Sequence, residues 1–82
     1  MITTRAAEVP AAPCFSRTRP EEAFRHAIVV AQKRWAIDGR GGRNPYTWAC
    51  RPDLYRAWQR GWDVGYYEME RLAVEKYAGA AL

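Results

Sequence analysis

Arg40, Arg43 and Arg51 fall within twelve residues of chain that also hold Tyr46 and Trp48. Guanidinium groups pair with phosphates and aromatic rings stack on bases, so an exposed loop that interleaves the two suits single-stranded RNA. Arg34, Arg56 and Arg60 stand on helix turns beside that loop and extend the patch, and Asn44 adds a polar group within it. Arginine carries a planar five-donor fork, which favours phosphate and stacking contacts over those of lysine. Two plainer readings stand beside this one. The arginines can be solvated surface, and Tyr46 and Trp48 can fold back to cover a thin core.

Other chemistries find less support. No nucleophile–base pair is evident, and His26 sits between Arg25 and Ala27 as a helix flank rather than a general base. Cys50 lies in a basic loop beside Arg51, a setting that favours a thiolate, though a loop cysteine is more often inert. The chain has two cysteines, Cys14 and Cys50, and one histidine, too few for a disulfide framework or a four-ligand zinc site. Whether Cys14 and Cys50 pair is open at this level. The run Gly39-Arg40-Gly41-Gly42-Arg43 is not a phosphate loop, because G-x-x-x-x-G-K-[ST] is absent and no strand precedes it. It retains the capacity to hold a phosphate on its backbone N–H groups, or to serve as a plain connector. No catalytic residue, metal or cofactor is expected, and the chain reads as a non-enzyme.

The composition agrees with a small basic binder. Arginine supplies eleven of the thirteen cations in this 82-residue chain, against nine acids, for a net charge of +4. Residues 25–60 hold eight of the cations and two acids, whereas residues 61–82 hold two cations and four acids. A basic segment of this kind is the usual footprint of a polyanion partner. Length limits the chain to one small domain with a thin core. No apolar run nears the ~18 residues of a membrane span, and the N-terminus lacks a secretory layout, so a cytoplasmic protein without a membrane partner is expected.

The elements that must position these residues are two helices. Residues 1–18, with Pro10 and Pro13 and no helical period, read as a flexible tail, with local anchoring through Val9 or Phe15; residues 19–82 read as one helical-hairpin domain. Thr18 with Glu21 fits a capping box, and Phe24, Ala27, Ile28, Ala31 and Trp35 form an apolar stripe, so a first helix spans about 20–38. Gly39 is its natural stop. Pro52 and Asp53 open a second helix over about 52–77, with Leu54, Trp58, Trp62, Gly65, Met69, Leu72 and Ala73 along one stripe and Gly79 at its end. Gly61 and Gly65 cost about 1 kcal/mol each inside a helix, which close approach of another backbone would offset. The expected architecture is all-α: an antiparallel two-helix hairpin joined by a Gly/Arg-rich loop. The overhanging end of helix two, with Met69, Leu72 and Ala73, is left for a second copy, the tail or a macromolecular partner.

Gly39-Arg40, Asn44-Pro45-Tyr46 and Trp58-Gln59-Arg60-Gly61-Trp62-Asp63 together resemble the ribosome modulation factor family, including its CrpP-like relatives, over roughly residues 30–66. The W-x-x-G-W element with an upstream Pro-Tyr carries the resemblance. It implies two helices joined by a connecting loop, and a role on the small ribosomal subunit near the 3′ end of its rRNA, promoting inactive ribosome dimers. Arg40, Asn44, Tyr46, Arg60 and Trp62 match the family pattern; the resemblance implies rRNA contacts for Arg40, Tyr46 and Arg60 and a structural role for Trp62. The CrpP-like branch implies instead an ATP-dependent antibiotic-modifying activity. The leading expectation is therefore a ribosome-associated, rRNA-binding regulator that contributes to hibernation. A phage- or mobile-element-encoded inhibitor of a host protein is the alternative.

Overall fold

The computed structural model describes residues 11–81, with side chains through residue 78. Among the described residues there are helices and no strands: α1 (Pro20–Lys33), α2 (Trp35–Asp38) and α3 (Pro52–Ala81). Helix α1 starts one residue later than the capping box at Thr18 implies. The backbone N–H of Arg19 donates to Glu22 Oε1 at 2.9 Å, while Thr18 turns back to Ser16 through two short-range hydrogen bonds. The expected first helix is broken once, at Arg34 (φ −106°, ψ 13°), whose guanidinium closes onto Asp38 across the next turn. Gly39 then adopts φ +57°, a conformation that costs glycine little, and ends α2. Helix α3 continues through Gly79 and runs to Ala81, about 45 Å at 1.5 Å per residue.

The two long helices pack side by side, but not antiparallel. A Cβ on Gly61 would lie 2.2 Å from the carbonyl oxygen of Phe24, and one on Gly65 would lie 2.5 Å from that of Ile28. Further along, the indole N–H of Trp35 reaches Glu70 at 3.2 Å. Both partners advance together, so α1 and α3 point the same way. The contact is a small-residue seam: Ala23, Ala27 and Ala31 are fully buried on α1, with Ala27 against Gly61 and Ala31 against Gly65 on α3. The two glycines thus meet the close backbone approach that offsets their helix cost.

A parallel pair needs a long return, and residues 39–51 provide it. They run back down the flank of α3. The Trp62 indole N–H donates to the Gly39 carbonyl at 2.9 Å, Gly42 lies flat on the Trp62 ring, and Asn44 reaches Tyr55 and Gln59. An antiparallel hairpin is satisfied by 2–5 residues, so a 13-residue connection is long enough to retrace the length of α1 in extended form. The core lies between the three layers: Leu54, Ala57, Trp58 and Trp62 from α3, the alanines of α1, and Tyr46 from the return segment. Trp58 and Leu54 are fully buried, each stabilising the fold by about 2 kcal/mol through removal of apolar area from water.

Residues 11–18 do not behave as the free tail that their composition suggests. Ala12 N–H donates to the Pro45 carbonyl at 2.7 Å, Arg51 donates to the Ser16 carbonyl, and Cys14 is disulfide-bonded to Cys50. Phe15 is not the anchor, being almost wholly exposed. Val9 lies outside the described residues.

Candidate nucleic-acid interface

The residues singled out by sequence separate into two groups. The first holds the fold together. Tyr46, expected on an exposed loop, is only 7% exposed and sets its ring edge against Trp58. Its place follows from the return segment lying in the groove rather than projecting from it. Asn44 is consumed locally: its amide donates to the Tyr55 carbonyl and the Gln59 side chain, and its oxygen accepts from the Tyr46 N–H at 2.9 Å. Trp62 is buried, and its indole N–H holds the Gly39 carbonyl. Arg34 is bonded to Asp38, and Arg51 makes a paired contact with Asp53 while holding Ser16. That contact raises Arg51 further above its ordinary range. It also holds the Asp53 carboxylate below its own, chiefly through the guanidinium hydrogen bond, with the Leu54 backbone N–H assisting.

The second group faces water. Trp48 is 51% exposed in the turn that leads into α3, and the Arg56 guanidinium lies over its ring at 4.6 Å. Tyr55 meets the same ring edge-on. Eleven residues after Arg56, Tyr67 is also half-exposed, with the Arg40 guanidinium 5.2 Å from its ring centre. Eleven residues are three helical turns, so Arg56 and Tyr67 share one face of α3, about 16 Å apart along its axis. Arg60 lies between them on that face and leans over Phe24 at 6.0 Å, beside a groove of about 280 Å³ lined by Pro20, Glu21, Phe24, Ala57 and Arg60. Arg40 also approaches Asp63 at 3.9 Å, an exposed pair that contributes little to stability. Arg43 is exposed on the return segment.

Sequence reading missed Tyr67. Its signal was the i, i+4, i+11 spacing of Arg56, Arg60 and Tyr67 on a face away from the apolar stripe. The disulfide was also left open, since spacing alone does not bring Cys14 to Cys50. Further up α3, Met69 and Ala73 are half-buried and Leu72 is exposed. Arg71 there is bonded to Glu68 and Glu75, which hold it above its ordinary range. Among the described residues no three His, Cys, Asp or Glu side chains gather as a metal site, and no helix is long and apolar enough to cross a membrane. No family model, curated protein or solved structure matches the chain.

Proposed function

We propose that this chain is a non-enzymatic regulator that binds single-stranded RNA along the water-facing side of α3, with rRNA of the small ribosomal subunit as its target. The observation that supports it most is the pair of exposed arginine–aromatic stacks, Arg56 on Trp48 and Arg40 on Tyr67, set on one helix face with Arg60 between them. Each stack presents a ring for a base and a cation for the adjoining phosphate. The resemblance to the ribosome modulation factor family supplies the ribosomal target. Tyr46 and Asn44 take no part, because the fold uses them.

The test is sedimentation of the tagged protein with cell lysate at low and high salt, with and without nuclease, followed by titration of a single-stranded RNA oligonucleotide. Co-sedimentation with ribosomal subunits that is lost at high salt is the expected result. Three phosphate contacts give a slope of about −2 in log K against log salt. No salt-dependent affinity for rRNA or small subunits at low ionic strength would overturn the reading. A nuclease-resistant complex with one protein would favour a second reading, host-protein binding by the end of α3 where Leu72, Val74 and Tyr77 are exposed. ATP-dependent modification of an antibiotic would instead show as nucleotide binding by calorimetry.

A further inference from the structure

Segment 11–19 is fastened to the return segment ahead of α3 by one covalent bond and two hydrogen bonds. The bond is Cys14–Cys50, and the hydrogen bonds run from Ala12 to Pro45 and from Arg51 to Ser16. Both cysteines are exposed. Cys50 shares a turn with Trp48, in which the N–H groups of Cys50 and Arg51 both donate to the Thr47 carbonyl. It also stands two residues ahead of Pro52, at the positive end of a 30-residue helix. An exposed disulfide is open to attack, and the positive end of a helix favours a thiolate as the departing group.

We propose that Cys14–Cys50 is a thiol–disulfide exchange site for a small thiol of the glutathione class, and that its opening loosens the Trp48 turn and weakens RNA binding. The second part rests on the RNA reading above. In the opening step the thiolate of the small thiol attacks Cys14 Sγ. A mixed disulfide forms there, the Cys14–Cys50 bond breaks, and its electron pair leaves on Cys50 Sγ. A second small-thiol thiolate attacks the small-thiol sulfur of that mixed disulfide and releases Cys14 as a thiolate. The protein disulfide gains two electrons and two protons, and two thiols become one small disulfide. The oxidised small disulfide drives the reverse reaction. The closed form is the binding form, so the device turns RNA binding on when the thiol pool is oxidised. Disulfides in reducing compartments commonly serve such sensing roles.

The experiment equilibrates the full chain in glutathione buffers of graded ratio. Free thiols are counted by alkylation and mass spectrometry, helix content by circular dichroism, and affinity with a fluorescent single-stranded RNA oligonucleotide. The expected result is joint titration of both thiols within the buffer range, retained helix, and affinity lower by about five-fold or more in the reduced form. A variant carrying both Cys14→Ser and Cys50→Ser is expected to show the reduced-state affinity in every buffer. A bond that stays closed in millimolar reduced glutathione overturns the exchange site. Loss of helix on reduction, or equal affinity in both states, overturns the gating. RNA bound by neither state defeats the RNA reading and the gating with it, and the exchange site is then decided by the thiol titration alone.

Discussion

The carbonyl oxygen of Ile28 occupies the space into which a side chain on Gly65 would grow: a Cβ there would lie 2.5 Å away. Gly61 stands in the same relation to Phe24 one turn earlier, at 2.2 Å. Alanine raises intrinsic helix stability by about 1 kcal/mol at each site, but it must push the two backbones apart. Gly65→Ala is therefore expected to destabilise the protein by about 1–3 kcal/mol, or roughly 4–8 °C in Tm per kcal/mol. Thermal denaturation followed at 222 nm checks this. A rise in Tm would mean that the seam is loose.

Two buried tryptophans separate by what their N–H groups do. The Trp62 indole donates to Gly39, whereas Trp58 Nε1 is buried with no partner among the described residues. Trp62→Phe strands a carbonyl and loosens the top of the return segment, and is expected to cost about 1–3 kcal/mol. Trp58→Phe keeps an aromatic ring in the core and removes an unpaired donor, so it is expected to cost less than Trp62→Phe in urea denaturation. The reverse order would show that Trp58 finds a partner in solution.

Acid stability follows from Asp53. Its carboxyl titrates lower in the folded chain than in the unfolded one because Arg51 and the Leu54 N–H bond its charged form. The stabilisation is fully present above the unfolded value of about 3.9 and is lost as pH falls through the lower folded value. Wild-type Tm is expected to drop below about pH 4 more steeply than that of Asp53→Asn, with the two melting curves converging at the acid end. Parallel pH profiles for the two proteins would remove Arg51–Asp53 from the acid transition.

Trp48 carries little of the fold and, in the RNA reading, much of the binding. Trp48→Ala is expected to leave Tm nearly unchanged and to lower RNA affinity about ten-fold, the worth of one stacked base. Arg56→Ala is expected to weaken binding less and to reduce the salt slope by about 0.7. Fluorescence anisotropy at several salt concentrations measures both. Unchanged affinity for Trp48→Ala would move the interface elsewhere.

The helix positions and their apolar stripes were legible because period is a local property, whereas the cap fell at Arg19 instead of Thr18 and Gly79 did not stop α3. Gly61 and Gly65 even announced the close approach that the seam provides. Direction was not legible: a stripe fixes which face is buried, not whether the neighbour runs up or down. The same gap misplaced Tyr46. A loop read in isolation points outward, but one that must retrace a helix lies in the groove and buries its aromatic ring. Asn44 and Arg51 were chemically right for RNA yet are occupied by Tyr55, Gln59, Asp53 and Ser16, partners no local spacing reveals.

Because α1 and α3 point the same way, their macrodipoles add instead of cancelling. Each helix places about half a positive charge at its N-terminus, so the pole shared by Pro20 and Pro52 carries roughly a full unit before any side chain is counted. Arg17, Arg19, Arg51 and Arg56 outnumber Glu21, Glu22 and Asp53 around that pole by one, and Glu68, Glu70 and Glu75 outnumber Arg71 and Lys76 by one toward the opposite one. The molecule is thus electrically polar along its long axis. In the RNA reading, a phosphate chain approaching through solution is drawn first toward the pole where Trp48 and the Cys14–Cys50 bond stand, with the acidic end trailing.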